Sequence, residues 1–123
     1  MAVINLDGSV RTDVWDPDQF AAWLGQIRQD SRAATGDAHA YEREIRDEIE
    51  NYLNSQNGWV TSSFVPGHSW TGTPYEHIHN AIGDQDMAGM CLGNFVCEAL
   101  ISSAKEWEVV SHANPGGTIY RRR

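Results

Sequence analysis

The stretch that most constrains this fold runs from Asp84 to about Ala104, because it has the length of a helix and almost no polar side. Its apolar positions are Met87, Met90, Cys91, Leu92, Phe95, Val96, Cys97, Leu100 and Ile101. Asp84 opens the helix, and Asp86 lies in the first turn, where the helix dipole favours an acid. Gly89 and Gly93 allow another element to approach closely. A helix that is apolar all round is buried, so we expect other elements to surround this one.

Upstream of this helix, apolar periodicity and turn residues mark three further elements. Residues 38–55 repeat apolar side chains at helical spacing, with Asp37 as the cap. The β-branched and aromatic run 59–65 predicts a short strand. Residues 73–76, Thr-Pro-Tyr-Glu, combine a cap, a first-turn proline and a capping-box acid, and they predict a short helix that Gly83 ends. The stripe of the first of these helices consists of Tyr41, Ile45, Ile49, Tyr52 and Leu53.

The other side of the 38–55 helix is charged. Glu42 with Arg46, and Arg43 with Asp47, are spaced four residues apart, which places each pair together on the helix surface. Such pairs contribute only about 0.2–0.5 kcal/mol. We interpret this side as solvated.

Turn chemistry predicts a β-hairpin at each end of the chain. Near the start, Asp7-Gly8 separates two short β-forming runs within residues 2–15. Near the end, residues 107–112 and 118–121 flank an Asn-Pro-Gly-Gly turn at 114–117.

Residues 1–36 are predicted to form an extension of a main domain at 37–123. Asp16-Pro17 opens a helix that ends near Gln29, and the small, polar stretch 30–37 is interpreted as a linker. An amphipathic helix beyond a linker needs a surface on which to bury its apolar face. We therefore expect the extension to support a homodimer, and the side chains for this role are Phe20, Trp23 and Ile27.

From residue 38 onward the predicted order is helix, strand, helix, helix and hairpin, which resembles the winged helix-turn-helix superfamily. Residues 45–63 look like its first helix running into its first strand, and the helices at 73–83 and 84–104 take the places of its helix-turn-helix pair. Residues 107–123 look like its wing. The resemblance covers about 85 of the 123 residues. It implies an α+β fold of winged-helix type, preceded by a β-hairpin and a helix.

The resemblance also implies DNA binding, but the chain departs from it at the reading helix. The second helix of the pair usually enters the major groove, and base reading there relies on Arg, Lys, Asn or Gln. Residues 84–104 offer only Gln85 and Asn94, without Arg or Lys. The wing and the tail still support DNA binding. Their candidate DNA contacts are His112, Asn114, Arg121, Arg122 and Arg123.

The charge distribution bears on both partner and compartment. The chain has a formal net charge of −8, and an acidic surface is repelled by nucleic acid. Two interpretations stay open, namely that the acidity only aids solubility or that the partner is a protein with a basic surface. Two cysteines without a disulfide framework, and no secretory signal or apolar membrane span, favour the cytoplasm.

The loop and short helix around residues 66–80 gather histidines and aromatic residues. His77 and His79 are two apart, whereas a helical metal site needs a spacing of three or four, so no metal or cofactor is predicted. Two interpretations remain, a structural loop plugged by Trp70 and a protein-binding patch, since interface anchors favour aromatic side chains. The partner-binding candidates are His68, Trp70, Tyr75 and His77.

Together these patterns predict a small non-catalytic binding module. The first hypothesis is a protein-interaction regulator or inhibitor that uses an acidic and aromatic surface. The alternative is a DNA-binding transcriptional regulator that uses its wing and basic tail. No phosphate-binding loop, nucleophile motif or carboxylate pair supports an enzyme.

Overall fold

A computed structural model describes residues 2–62, 70–113 and 117–123 of the chain. These residues form a mixed α+β structure with four helices and five strands. In chain order the elements are β1 (Val3–Ile4), β2 (Val10–Arg11), α1 (Pro17–Thr35), α2 (Ala40–Ser55), β3 (Trp59–Thr61), α3 (Glu76–Ile82), α4 (Gln85–Ser102), β4 (Trp107–Ala113) and β5 (Gly117–Arg122).

All five strands belong to one sheet, in the order β2-β1-β4-β5-β3. Both predicted hairpins are confirmed, since β1 pairs antiparallel with β2 and β4 pairs antiparallel with β5. β3 pairs antiparallel with β5, and β1 pairs parallel with β4. The predicted strand at 59–65 is confirmed for Trp59–Thr61, and residues 63–65 lie outside the described residues.

The helices cover one face of this sheet. Buried sheet residues on that face share one apolar cluster with residues from all four helices, and they are Val3, Val60, Trp107, Val109 and Tyr120. Helix α4 lies at the centre of the cluster, as its composition predicts, with Leu92, Phe95 and Leu100 fully buried. Its first turns differ from the prediction, because Met87 and Met90 are 49% and 52% exposed.

The predicted linker at 30–37 is wrong for most of its length, because α1 continues to Thr35. Ser31 is buried inside this stretch, where its hydroxyl donates to the Asp37 carbonyl (2.6 Å) and accepts from the Tyr41 amide (3.1 Å). Gly36, in the left-handed region at φ 81°, then ends the helix. The connection to α2 is therefore a tight corner between two packed helices.

Residues on both sides of the predicted boundary at 36/37 contribute to the same core and the same sheet. Phe20, Trp23 and Ile27 are buried against the rest of the chain. They are therefore not free to form the predicted dimer contact. The apolar face of α1 is predicted correctly, but it packs against the rest of the same chain instead of against a second copy.

The two aspartates that are predicted to open α1 and α4 differ in whether their side chains cap the helix. The Asp84 carboxylate accepts from the Met87 amide at 2.9 Å, which confirms it as the cap of α4. Asp16 precedes α1, but its side chain makes no cap bond. Helix α3 begins at Glu76 rather than at Pro74, and the Glu76 carboxylate accepts from the Gly72 amide at 2.7 Å.

Candidate interaction surface

In its described part, residues 70–80, the predicted patch does not form an exposed aromatic surface. Tyr75 is only 1% exposed and belongs to the core, so its prediction as a partner contact is wrong. Trp70 is half-buried and packs against the core beside His79. His68 lies outside the described residues.

His77 is held by two neighbours on α2. Its ring stacks on Tyr41 with 3.6 Å between ring centroids, and its Nε2 lies 2.7 Å from the Glu44 carboxylate. These contacts fasten α3 to α2. The structure therefore gives His77 a role inside the molecule, while part of its side chain stays accessible.

At the wing, the predicted basic residues are largely paired with acids. The Arg121 guanidinium donates to Glu108 (Nε to Oε1, 2.7 Å), and Arg123 lies 3.6 Å from Glu106 and 3.8 Å from Glu108. Arg122 is exposed, and its amide donates to the Gly58 carbonyl. Phosphate binding by Arg121 or Arg123 would have to compete with these carboxylates.

The remaining wing candidates are His112 and Asn114. His112 stacks on Trp15 with 4.8 Å between centroids, and its Nδ1 lies 2.5 Å from the Thr118 hydroxyl. Arg11 lies 3.5 Å from the centre of the same Trp15 ring. Asn114 lies outside the described residues.

The first turns of α4 form an exposed surface. Met87 and Met90 are half-exposed and three residues apart, so they are neighbours on the helix. Asp86 is exposed and one turn before Met90, and a side chain added at Gly89 would meet nothing within 4 Å. We call this the α4 surface, and it consists of Asp84, Gln85, Asp86, Met87, Gly89 and Met90.

The charged residues of the α4 surface, Asp84 and Asp86, are both acidic. Residues 47–104 contain no Lys or Arg, and they contain seven acids: Asp47, Glu48, Glu50, Glu76, Asp84, Asp86 and Glu98. The Asp84 carboxylate is held at the helix start by its bond to the Met87 amide. The α4 surface therefore combines flexible apolar side chains with fixed negative charge.

A buried carboxylate lies where the sequence predicts a solvated pair. Glu42 is 2% exposed, and it accepts from Arg28 (2.7 Å) and Arg46 (2.6 Å) and contacts His39 Nδ1 (2.5 Å). Burial alone would raise the pKa of Glu42, but hydrogen bonds from Arg28, His39 and Arg46 outweigh it and lower the pKa to about 2. Arg46 also reaches Glu98 on α4 at 2.9 Å, so the cluster ties α1, α2 and α4 together.

The other predicted pair of α2 does not form as expected. Arg43 binds the Asp37 carboxylate at 2.6 Å, across the corner before the helix.

The cluster around Glu42 has no open position for a substrate, because its carboxylate oxygens are occupied by side chains of the protein. We therefore assign it a structural role.

Both cysteines are free and buried. Burial raises the pKa of the Cys91 thiol to about 12 and that of Cys97 to about 11, so neither is a ready nucleophile. In the described part of the chain, no group of three His, Cys, Asp or Glu residues is placed to hold a metal ion. A groove of about 230 Å³ between α1 and the end of α4 is lined by apolar residues, including Val14 and Phe20, and by polar ones, including Asp13 and Glu98.

Comparison with known proteins adds no relative to this description. No protein-family model, curated protein or solved structure matches the chain. Among the described helices, none is long and apolar enough to cross a membrane.

Proposed function

We propose that this chain is a non-catalytic protein-interaction module of winged-helix type, a regulator or inhibitor that binds a basic, partly apolar segment of another protein on its α4 surface. The observation that carries the proposal is the half-exposure of Met87 and Met90 beside Asp86. Exposed apolar side chains rimmed by charge are typical of interaction sites. Methionine suits such a site because its side chain adapts to different partners.

The order of elements supports the winged-helix part of the proposal. Helix α2, strand β3, helices α3 and α4, and the β4–β5 hairpin follow the order of that superfamily, and β3 pairs with β5. This arrangement would put α4 in the position of the DNA-reading helix. Here that helix presents methionines and carboxylates instead of basic side chains.

Electrostatics favours a protein partner over DNA. A duplex needs cations to replace its counterions, whereas the α4 surface carries only negative charge, and Arg121 and Arg123 are paired with acids. A basic protein segment would be attracted to the same surface and steered towards it.

The two buried, free thiols suit a reducing compartment, so we place the protein in the cytoplasm.

Methyl NMR on methionine tests the proposal directly, because the chain has only three methionines, Met1, Met87 and Met90. We would titrate protein labelled at the methionine methyl carbons with a short helical peptide of Lys and Leu, with its Glu-for-Lys counterpart, and with a mixed-sequence DNA duplex at about 50 mM salt. We expect the basic peptide to shift the Met87 and Met90 signals and to leave the Met1 signal unchanged. The acidic peptide and the duplex should shift none of them.

A double variant, Met87→Gln with Met90→Gln, should weaken peptide binding about tenfold or more, because it removes apolar area from the contact. Leu6→Gln is the matched control, since Leu6 is exposed and apolar but lies in the first hairpin. Binding of the duplex, or peptide binding that leaves Met87 and Met90 unshifted, would contradict the proposal.

A further inference from the structure

The face of the sheet that the helices leave uncovered carries apolar side chains on several strands. Trp59 is 51% exposed, and Val10, Val110 and Ile119 are also exposed. Val110 is the extra residue of a bulge in β4, between the pairs Val109–Tyr120 and Ser111–Ile119. We call this the outer face, and it consists of Ile4, Val10, Trp59, Glu108, Val110, Ser111, Ile119 and Arg121.

Strand register aligns one residue from each strand across the outer face. Ile4 pairs with Val10 on one side and with Glu108 on the other, Glu108 pairs with Arg121, and Arg121 pairs with Trp59. The row therefore reads apolar, apolar, acid, base, aromatic across β2, β1, β4, β5 and β3. The Arg121 guanidinium joins Glu108 and lies 5.6 Å from the Trp59 ring centre.

This row is complementary to a second copy of itself. Consider a twofold axis parallel to the strands that passes between β4 and β5. It brings Glu108 of each copy opposite Arg121 of the other, and it brings Ile4 opposite Trp59. Self-complementarity about such an axis is what a symmetric dimer requires.

We propose that the outer face is a self-association surface, on which two copies of the chain pack sheet against sheet. The acid and base of the row favour a second copy of the chain as the partner, because each copy places its acid opposite the other's base. The overall charge of −8 opposes self-association, but the acid and base of the row cancel at the centre of the contact. The next row is compatible, because the same axis brings Ile119 opposite Ser111, beside Val110.

The size of the outer face indicates a weak dimer. Five strands about 4.8 Å apart make a face about 20 Å wide, and its longest strand, β4, has seven residues, about 23 Å. The face therefore covers less than about 500 Å², below the about 800 Å² per partner of a standard interface. The test therefore needs a wide concentration range. The α4 surface takes no part in this contact, so self-association and partner binding can succeed or fail separately.

Sedimentation velocity from about 20 µM to 1 mM tests the proposal. We expect the wild-type chain to shift from monomer towards dimer across this range. Glu108→Arg places Arg opposite Arg in a dimer, and Arg121→Glu places Glu opposite Glu, so each variant alone should stay monomeric. Far-UV circular dichroism would establish that both variants are folded.

The decisive sample is an equimolar mixture of the two charge variants. In a mixed dimer each Arg faces a Glu again, so we expect the mixture to associate at least as strongly as the wild type. An effect of the substitutions inside one molecule would not be rescued by mixing, and an unrescued mixture would overturn the proposal. A wild-type chain that is monomeric at about 1 mM would overturn it too.

Apolar substitutions give an independent check. Trp59→Thr and Ile119→Thr keep strand-forming residues but remove apolar area, so both should weaken the dimer at least about fivefold. Met87→Gln, an exposed change on the α4 surface, should leave self-association unchanged. Equal dimerisation of all three variants would contradict the assignment of the outer face.

Discussion

At the scale of single residues, the described contacts imply that a substitution of Glu42 would destabilise the fold most. A buried carboxylate is costly unless it is paired and hydrogen-bonded, and here Arg28 and Arg46 supply both from two helices. Removing one partner of such a pair leaves uncompensated charge behind. The cost of a substitution should therefore exceed that of breaking an exposed ion pair.

We expect Glu42→Gln to lower the free energy of unfolding by about 2–4 kcal/mol at pH 7, because two arginines lose their charged partner. The folded-state pKa of Glu42, about 2, is below its ordinary value of 4.5, so the stability it contributes is present above about pH 4.5 and is lost as the pH falls towards 2. The difference between variant and wild type should shrink over this window. Urea unfolding at a series of pH values measures it.

Glu50→Gln is the matched control on the exposed side of the same helix. It should change the free energy of unfolding by less than about 0.5 kcal/mol. A Glu42→Gln protein as stable as the wild type at pH 7 would show that the cluster contributes little, and a difference that persists at pH 2 would show that the loss does not come from the charge of Glu42.

Residue-level burial could be predicted only where it follows local periodicity. Ile45 and Ile49 are buried as their spacing predicts, but Glu42 has the same local setting as the exposed acids of α2. Its burial depends on Arg28, fourteen residues earlier, and on the path of α1. For Met87 and Met90 the error is the opposite one, since they are predicted to be buried but are half-exposed. An apolar pattern does not show which side of a helix its neighbours leave uncovered.

At the scale of elements, the two aspartates that precede α1 and α4 offer a direct comparison. Both occupy the cap position, but only the Asp84 side chain accepts an amide hydrogen bond. We expect Asp84→Ala to cost about 1 kcal/mol. Asp16→Ala should cost only a few tenths, from the lost interaction with the helix dipole.

Thermal unfolding of the two alanine variants measures this difference. The Asp84 variant should melt a few degrees below the wild type and the Asp16 variant close to it. Equal losses would mean that the caps act through charge alone rather than through the hydrogen bond. Both aspartates are exposed, so the two substitutions are comparable in burial.

The bounds of elements could be predicted from the sequence where local chemistry marks them clearly. Asp84 and Gly83 mark a start and a stop by local chemistry, and both are confirmed. The end of α1 was misplaced because its last turn, from Asp30 to Thr35, is small and polar like a loop. Gly36 carried the correct signal, since glycine in the left-handed region commonly follows a helix.

At the scale of the whole molecule, the pairing of β1 with β4 unites the two ends of the chain. Val3 lies opposite Trp107 in this parallel pair, and the Trp107 amide donates to the Ala2 carbonyl at 3.0 Å. Local sequence patterns predict each hairpin but do not predict which strands of different hairpins meet. The division at 36/37 was drawn without this contact.

The fragment 37–123 should therefore not fold by itself, although it contains every element of the winged-helix pattern. Without residues 1–36 its core lacks Val3, Phe20, Trp23 and Ile27, which are all buried. Each such side chain contributes about 1.5–3 kcal/mol, and their sum is comparable with the total stability of a domain, about 5–15 kcal/mol. We expect a poorly dispersed ¹H–¹⁵N spectrum for the fragment and no cooperative melting, and we expect added peptide 1–36 to restore both. A fragment that melts cooperatively alone would show that the first two strands and α1 are an accessory layer, in spite of the buried surface they share with α2, α3 and α4.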